Sequence, residues 1–131
     1  WLLYFEAQAF YNSKIKRVKI TQALKRARKK LSKTKDWASL GVTEAELRSM
    51  IERRLEAERL YVFKKKASVL PVSPADVEAE YTQNRIRYGN LTFAEVKDKI
   101  RHKKIQENLE ARLSQWFQVL EKKYRVQRFS Q

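Results

Sequence analysis

Cysteine is absent from the 131 residues, glycine and proline occur twice each, and methionine and histidine once each. Without cysteine there is no disulfide and no thiolate metal site, and the redox compartment stays open. Breakers this scarce favour long helices, because an interior glycine or proline costs a helix about 1 or 3 kcal/mol. No apolar run reaches the roughly 18 residues that a membrane-spanning helix needs. The opening WLLYFEAQAF lacks the basic start and small-residue cleavage site of a secretion signal. A glycine-rich phosphate loop, an HExxH pair and a GxSxG elbow are all missing as well. Because the chain opens without Met and in the middle of a helical pattern, a mature or trimmed product is expected, with an N-terminal part upstream.

What the chain has in quantity is charge of one sign. Lys and Arg number 30 against 15 Asp and Glu, a net charge of +15. Charged residues make up 34% and apolar residues 43%, enough apolar content to argue against wholesale disorder. The excess is concentrated. Lys14, Lys16, Arg17, Lys19, Lys25, Arg26, Arg28, Lys29, Lys30, Lys33 and Lys35 follow one another with no acidic residue between them. A length of 131 residues suits one domain, and the expectation is a single helical unit over 1–131.

Apolar spacing places the elements. WLLYFEAQAFY is apolar at Leu2, Leu3, Phe5, Ala9 and Phe10, a helical rather than alternating pattern. Ile20, Ala23, Leu24, Ala27 and Leu31 form the apolar stripe of a second helix whose outer face is basic. Ser32 to Gly41 reads as a loop. Thr43 and Glu46 form a capping box, in which the Thr hydroxyl accepts from the amide of Glu46 and the Glu side chain reaches back to that of Thr43. A long helix over about 43–66 is expected from there, with Leu47, Met50, Ile51, Leu55, Tyr61, Val62 and Phe63 on its apolar positions.

Ser73 suits an N-cap, Pro74 the first helical position, and Asp76 the first turn, where a carboxylate favours the helix dipole. That helix carries Val77, Tyr81 and Ile86 and should end at Gly89. Thr92 and Glu95 form another capping box, opening a second long helix over 93–123 with Val96, Ile100, Ile105, Leu109, Leu113, Trp116, Phe117 and Leu120. The five-residue step from Ile100 to Ile105 shifts the phase of its stripe, so its two halves should meet different neighbours. YRVQRF, residues 124–129, alternates as a short terminal strand would.

LGVTEAELRSMIERRLEAERLYVFKKK, PVSPADVEAEYTQNRIRYG and LTFAEVKDKIRHKKIQENLEARLSQWFQVLEKKYRV resemble, in order and spacing, the helical chaperone module of SurA-like and parvulin-associated periplasmic folding factors. That family places a "v-s-x-x-e-v-x-x-y-y" helix before an "f-e-e-v-k-x-x-i" helix and closes on a "y-x-v" strand. The likeness covers about residues 38 to 128, and WLLYFEAQAF is similar to the helix that precedes them in the family. It implies an elongated multi-helix domain like the SurA N-terminal region. The function it implies is that of a periplasmic holdase for unfolded outer-membrane or secreted clients. Two departures qualify it. Gly89 leads directly to Leu91, leaving no room for an inserted parvulin domain, so no isomerase activity is expected. The family's opening strand is missing too, so the terminal strand's partner should lie upstream or come from another chain, as in a homo-oligomer that swaps terminal elements.

The residues by themselves favour binding over catalysis, and no cofactor or metal is expected. His102 sits among Arg101, Lys103 and Lys104 with no ligand partner at suitable spacing and reads as a solvated surface residue. Glu44 with Glu46, and Glu78 with Glu80, read as helix-start carboxylates rather than an acid–base pair. Client-binding candidates are Met50, Tyr61, Phe63, Trp116 and Phe117, since adaptable apolar groups left open in a groove can accept varied client segments. Lys25, Arg26, Arg28, Lys29, Lys30 and Lys33 form a basic patch. It can be a solvated face, an attraction for anionic clients or an anionic membrane surface, or the phosphate contacts of a nucleic-acid-binding helical protein.

Overall fold

A computed structural model of the chain describes residues 1–34 and 38–125. The regular structure among them is entirely helical: α1 (Leu2–Phe10), α2 (Arg17–Leu31), a 3-10 turn (Ala38–Leu40), α3 (Glu44–Ser68), α4 (Pro74–Gln83), α5 (Arg85–Tyr88) and α6 (Phe93–Lys123). The all-α expectation holds, and α3 and α6 are the two long helices expected over 43–66 and 93–123. The chain divides into two compact units, Trp1–Phe63 and Lys64–Gln131, with the boundary inside α3.

Three helices begin with the same chemistry. At the start of α3 the Glu46 carboxylate accepts from the Thr43 amide at 2.7 Å and from its hydroxyl at 2.8 Å. The Glu46 amide donates to Thr43 Oγ1 at 3.2 Å in return. Ser73 and Asp76 make the equivalent box at α4: Ser73 Oγ donates to Asp76 Oδ2 at 2.6 Å, and the Asp76 amide donates to Ser73 Oγ at 3.1 Å. Asp76, expected as a partner of the helix dipole, thus also closes a capping box. Its shorter side chain still reaches the Ser73 amide, at 3.3 Å. At α6, Glu95 accepts from the amide and the hydroxyl of Thr92, both at 2.7 Å. Each box satisfies amides that have no partner inside the helix.

In the second unit, Val77 of α4 is buried with Val96 and Ile100 of α6, and Val72, Tyr81, Tyr88 and Phe93 pack around them. Lys104 of α6 meets Glu80 of α4 at 3.5 Å beside this cluster. The buried positions Leu109, Leu113 and Leu120 continue the stripe of α6 beyond the five-residue step.

The helix expected to run from Pro74 to Gly89 is broken at Asn84. Its backbone leaves the helical region at φ −114° and ψ 31°. Its side-chain amide donates to Glu80 O at 3.3 Å and Glu80 Oε1 at 3.0 Å, competing with the helical ladder as short polar side chains do. After the break α5 is turned so that Ile86, expected on the apolar stripe, is 98% exposed. Arg85 lies over the Tyr81 ring, 4.8 Å from its centroid, and donates to the carbonyls of Gly89 at 2.7 Å and Leu91 at 3.2 Å. Tyr81 itself donates to Leu91 O at 2.8 Å. Gly89 turns the chain at φ 56°, a conformation that a side chain would strain.

The strand expected over 124–129 does not begin where it can be followed. Tyr124 and Arg125 form a turn, with Arg125 at φ 50°, a left-handed residue of the kind that ends helices, and the remainder lies outside the described residues. Val126 to Phe129 therefore carry no structural statement.

Two measurements check this fold. Ile100→Ala opens a cavity in the Val77 cluster and should destabilise the second unit by about 2–5 kcal/mol in urea denaturation. The hydrogen bonds that hold the capping carboxylates also set a pH dependence. The Glu46 carboxyl is held below its ordinary 4.5 by bonds from the backbone and then the hydroxyl of Thr43. Asp76 is held below its ordinary 3.8 by the hydroxyl and then the backbone of Ser73. For Glu95 the hydroxyl and then the backbone of Thr92 act in the same direction. A carboxylate whose pKa is lower in the folded state stabilises it above the unfolded-state pKa, and that contribution is lost as pH falls through the folded value. Helicity by circular dichroism should therefore be flat from neutrality down to about pH 5 and fall below about pH 4. Replacing the three carboxylates by their amides should flatten that fall.

Candidate functional site

The candidate surface belongs to the first unit and is built by α1 lying along α3 in the same direction. Arg53 stacks over the Trp1 ring at 4.7 Å, Gln8 donates to the Glu56 carboxylate, and Arg59 lies over the Tyr11 ring at 3.7 Å. Phe10 meets Phe63 with ring centroids 5.3 Å apart. Arg59 is anchored by a bond from Nη2 to Ser13 O at 2.9 Å, while its buried Nε has no hydrogen-bond partner.

The reason for so much open apolar area is in the sequence of α1. WLLYF is apolar at five consecutive positions, so a helix there presents apolar groups on every side, and only Ala7 of this helix is buried. Trp1, Phe5 and Phe10 stay exposed, and the stacked arginines cover parts of two rings without closing the surface. Exposed apolar groups beside stacked cations, here Trp1 with Phe5 and Phe10 with Phe63, are a feature of interaction sites.

The predicted residues fall in different places. Met50 is 54% exposed and lines a cleft of about 240 Å³ with Trp1, Tyr4, Arg53, Arg54 and Ala57. Phe63 is 47% exposed beside Phe10, while Tyr61 is half-buried. Trp116 and Phe117 belong to the second unit, half-buried, their rings 5.2 Å apart, with the Lys64 ammonium 5.4 Å from the Trp116 ring. The structure thus brings Phe63 against Phe10, and Met50 against Trp1 and Tyr4.

The apolar stripe read along α3 does not mark its buried side. Leu60, outside the expected set, has no exposed surface, and Glu56 is 5% exposed, whereas Met50, Val62 and Phe63 face solvent. The α3 residues that meet the α1 segment are Arg53, Glu56, Arg59 and Phe63, and of these Glu56 is buried. Glu56 also lines a polar cleft of about 230 Å³ with Tyr4, Gln8, Lys14, Glu52 and Arg53. No spacing rule singles out Glu56; its neighbours become its partners only through the placement of α1. Phe5 could have been found from the unbroken apolar run of residues 1–5 and Phe10 from the helical spacing that follows it, and Arg53 and Arg59 could not.

The basic patch lies where the sequence puts it. Ile20 and Leu24 are the buried residues of α2, and Lys25, Arg26, Lys29, Lys30 and Lys33 are exposed. Arg28 forms an ion pair with Glu44 at the start of α3. His102 is exposed on α6, its Nδ1 donating to Asp98 O at 2.7 Å, in keeping with the surface reading.

Among the described residues, no group of three or more His, Cys, Asp or Glu side chains is placed to hold a metal ion. No helix among them is long and apolar enough to cross a membrane. Comparison with protein-family models, with curated proteins and with solved structures gives no match.

The Gln8–Glu56 contact offers a test of the site's architecture. Gln8→Ala leaves a buried carboxylate without the partner seen here and should destabilise the first unit by about 1–3 kcal/mol in chemical denaturation. Adding Glu56→Gln removes the buried charge and should recover part of that loss.

Proposed function

We propose that this chain is a holdase-type chaperone module of the SurA-like kind, which binds unfolded outer-membrane or secreted proteins in the periplasm. The observation that carries the reading is the exposed aromatic and methionine surface of the first unit, where Phe5, Phe10 and Phe63 lie open and Met50 lines a cleft with Trp1 and Tyr4. A client segment without fixed structure offers apolar side chains at irregular spacing. Flat rings and a flexible thioether adapt to such segments where a shaped pocket could not. Arginine side chains around the rings keep this surface hydrated and supply donors for client carbonyls. Tyr61, Trp116 and Phe117 are secondary contacts in this reading, because they are half-buried.

Support from the sequence lies in the order and spacing of its motifs over about residues 38 to 128, which resemble the chaperone module of that family. The short turn from Gly89 to the N-cap Thr92 supports a module without an inserted isomerase domain. The basic face of α2 supports a second reading, a nucleic-acid-binding helical protein. That helix, RVKITQALKRARKKL, carries no aromatic residue on which a base could stack.

The test is suppression of aggregation. The protein at equimolar ratio should lower the light scattering of an unfolded β-barrel client diluted from urea. Phe63→Ser and Met50→Ser, both at exposed positions, should each weaken client binding on the order of tenfold, the equivalent of losing one buried apolar side chain. An absence of suppression, together with salt-sensitive retention on nucleic acid at physiological ionic strength, would replace this reading with the second.

A further inference from the structure

We propose that the outer face of α2 is a docking surface for an anionic lipid bilayer, distinct from the aromatic surface of α1 and α3. Lys25 and Lys29 stand one turn apart, about 6 Å along the axis at 1.5 Å per residue, Lys33 follows in the turn just past the end of the helix, and Lys19, Arg26 and Lys30 lie beside the first two. All six are exposed. The opposite side of the helix is committed to the protein interior through Ile20 and Leu24. The carboxylate of Glu44 pairs with Arg28 at the edge of this face. Five cations on one side of the helix and a sixth just past its end, with no carboxylate among them in the sequence, are complementary to a surface of lipid phosphates.

One apolar residue distinguishes a bilayer from other polyanions. Val18 is 65% exposed and lies seven and eleven residues before Lys25 and Lys29, which puts it on their side of the helix. An apolar group among cations gains nothing from a nucleic-acid backbone. At a bilayer it reaches the acyl boundary beneath the phosphates. Because the apolar stripe of α2 is already buried, the helix cannot insert deeply. Attachment is therefore peripheral, reversible and governed by charge, and it weakens as salt shortens the screening length from about 10 Å at 0.1 M to about 3 Å at 1 M.

Vesicle flotation tests this with the full chain. Vesicles of phosphatidylcholine with about one third phosphatidylglycerol should bind the protein at about 0.1 M salt and release it at about 1 M, and vesicles of phosphatidylcholine alone should not bind it. The variant Lys25→Gln/Lys29→Gln/Lys33→Gln, whose folding is checked by circular dichroism, should bind about 100-fold more weakly, at roughly fivefold per lysine. Val18→Ser should weaken vesicle binding and leave binding to a single-stranded oligonucleotide unchanged. Equal binding to both kinds of vesicle, an unaltered affinity in the folded triple variant, or tighter binding to the oligonucleotide than to the anionic vesicles at the same salt would each overturn the proposal.

Discussion

A hydroxyl and a carboxylate three residues apart open each of the three helices on which this structure is hung. Thr43 with Glu46 starts α3, Ser73 with Asp76 starts α4, and Thr92 with Glu95 starts α6. In a helix, the first residue sets the direction of every later side chain. Starting α3 at Glu44 puts Arg53, Glu56, Arg59 and Phe63 in the order in which α1 meets them. Starting α4 and α6 at Pro74 and Phe93 brings Val77 onto Val96 and Ile100. Shifting any of these starts by one residue would rotate the helix by about 100° and part these contacts.

The first unit combines two solutions to an excess of apolar groups on α1. Arginines of α3 lie over Trp1 and Tyr11, which lets exposed rings coexist with solvent. Gln8 meets the carboxylate of Glu56, the one charged side chain on the buried side of the described helices. A buried carboxylate with a polar partner positions α1 more specifically than apolar contact does, because any shift breaks the bond. What remains uncovered, Phe5 at one end of α1 and Phe10 with Phe63 at the other, is apolar surface beside cations, and the proposed client binding is founded on it.

The charge excess follows a different logic. Along α6, basic residues find acidic neighbours a turn away, as in Arg101 with Asp98 at 3.4 Å and Lys103 with Glu107 at 3.6 Å. Exposed pairs like these add little to stability, but they neutralise the field near the helix. On α2 there is no such pairing within the helix, because the stretch from Lys14 to Lys35 contains no acidic residue. Self-repulsion along that face persists in the folded state, and a polyanionic partner is what would relieve it.

Much of this was legible without coordinates. Scarce breakers, periodic apolar residues and hydroxyl–carboxylate spacings are local signals, and they fixed the all-helical class, the two long helices and the exposed basic face of α2. Local signals also misled: Ile86 belonged to a plausible stripe until the Asn84 side chain took the Glu80 carbonyl and turned α5 outward. The sequence by itself determined which segments are helical and where three of them begin, because those choices are settled within a few residues. Tertiary structure alone decided that Leu60 and Glu56 are buried while Met50 and Phe63 are open, because burial depends on which neighbour covers a face, and the partner of Glu56, Gln8 of α1, lies more than forty residues away in the chain.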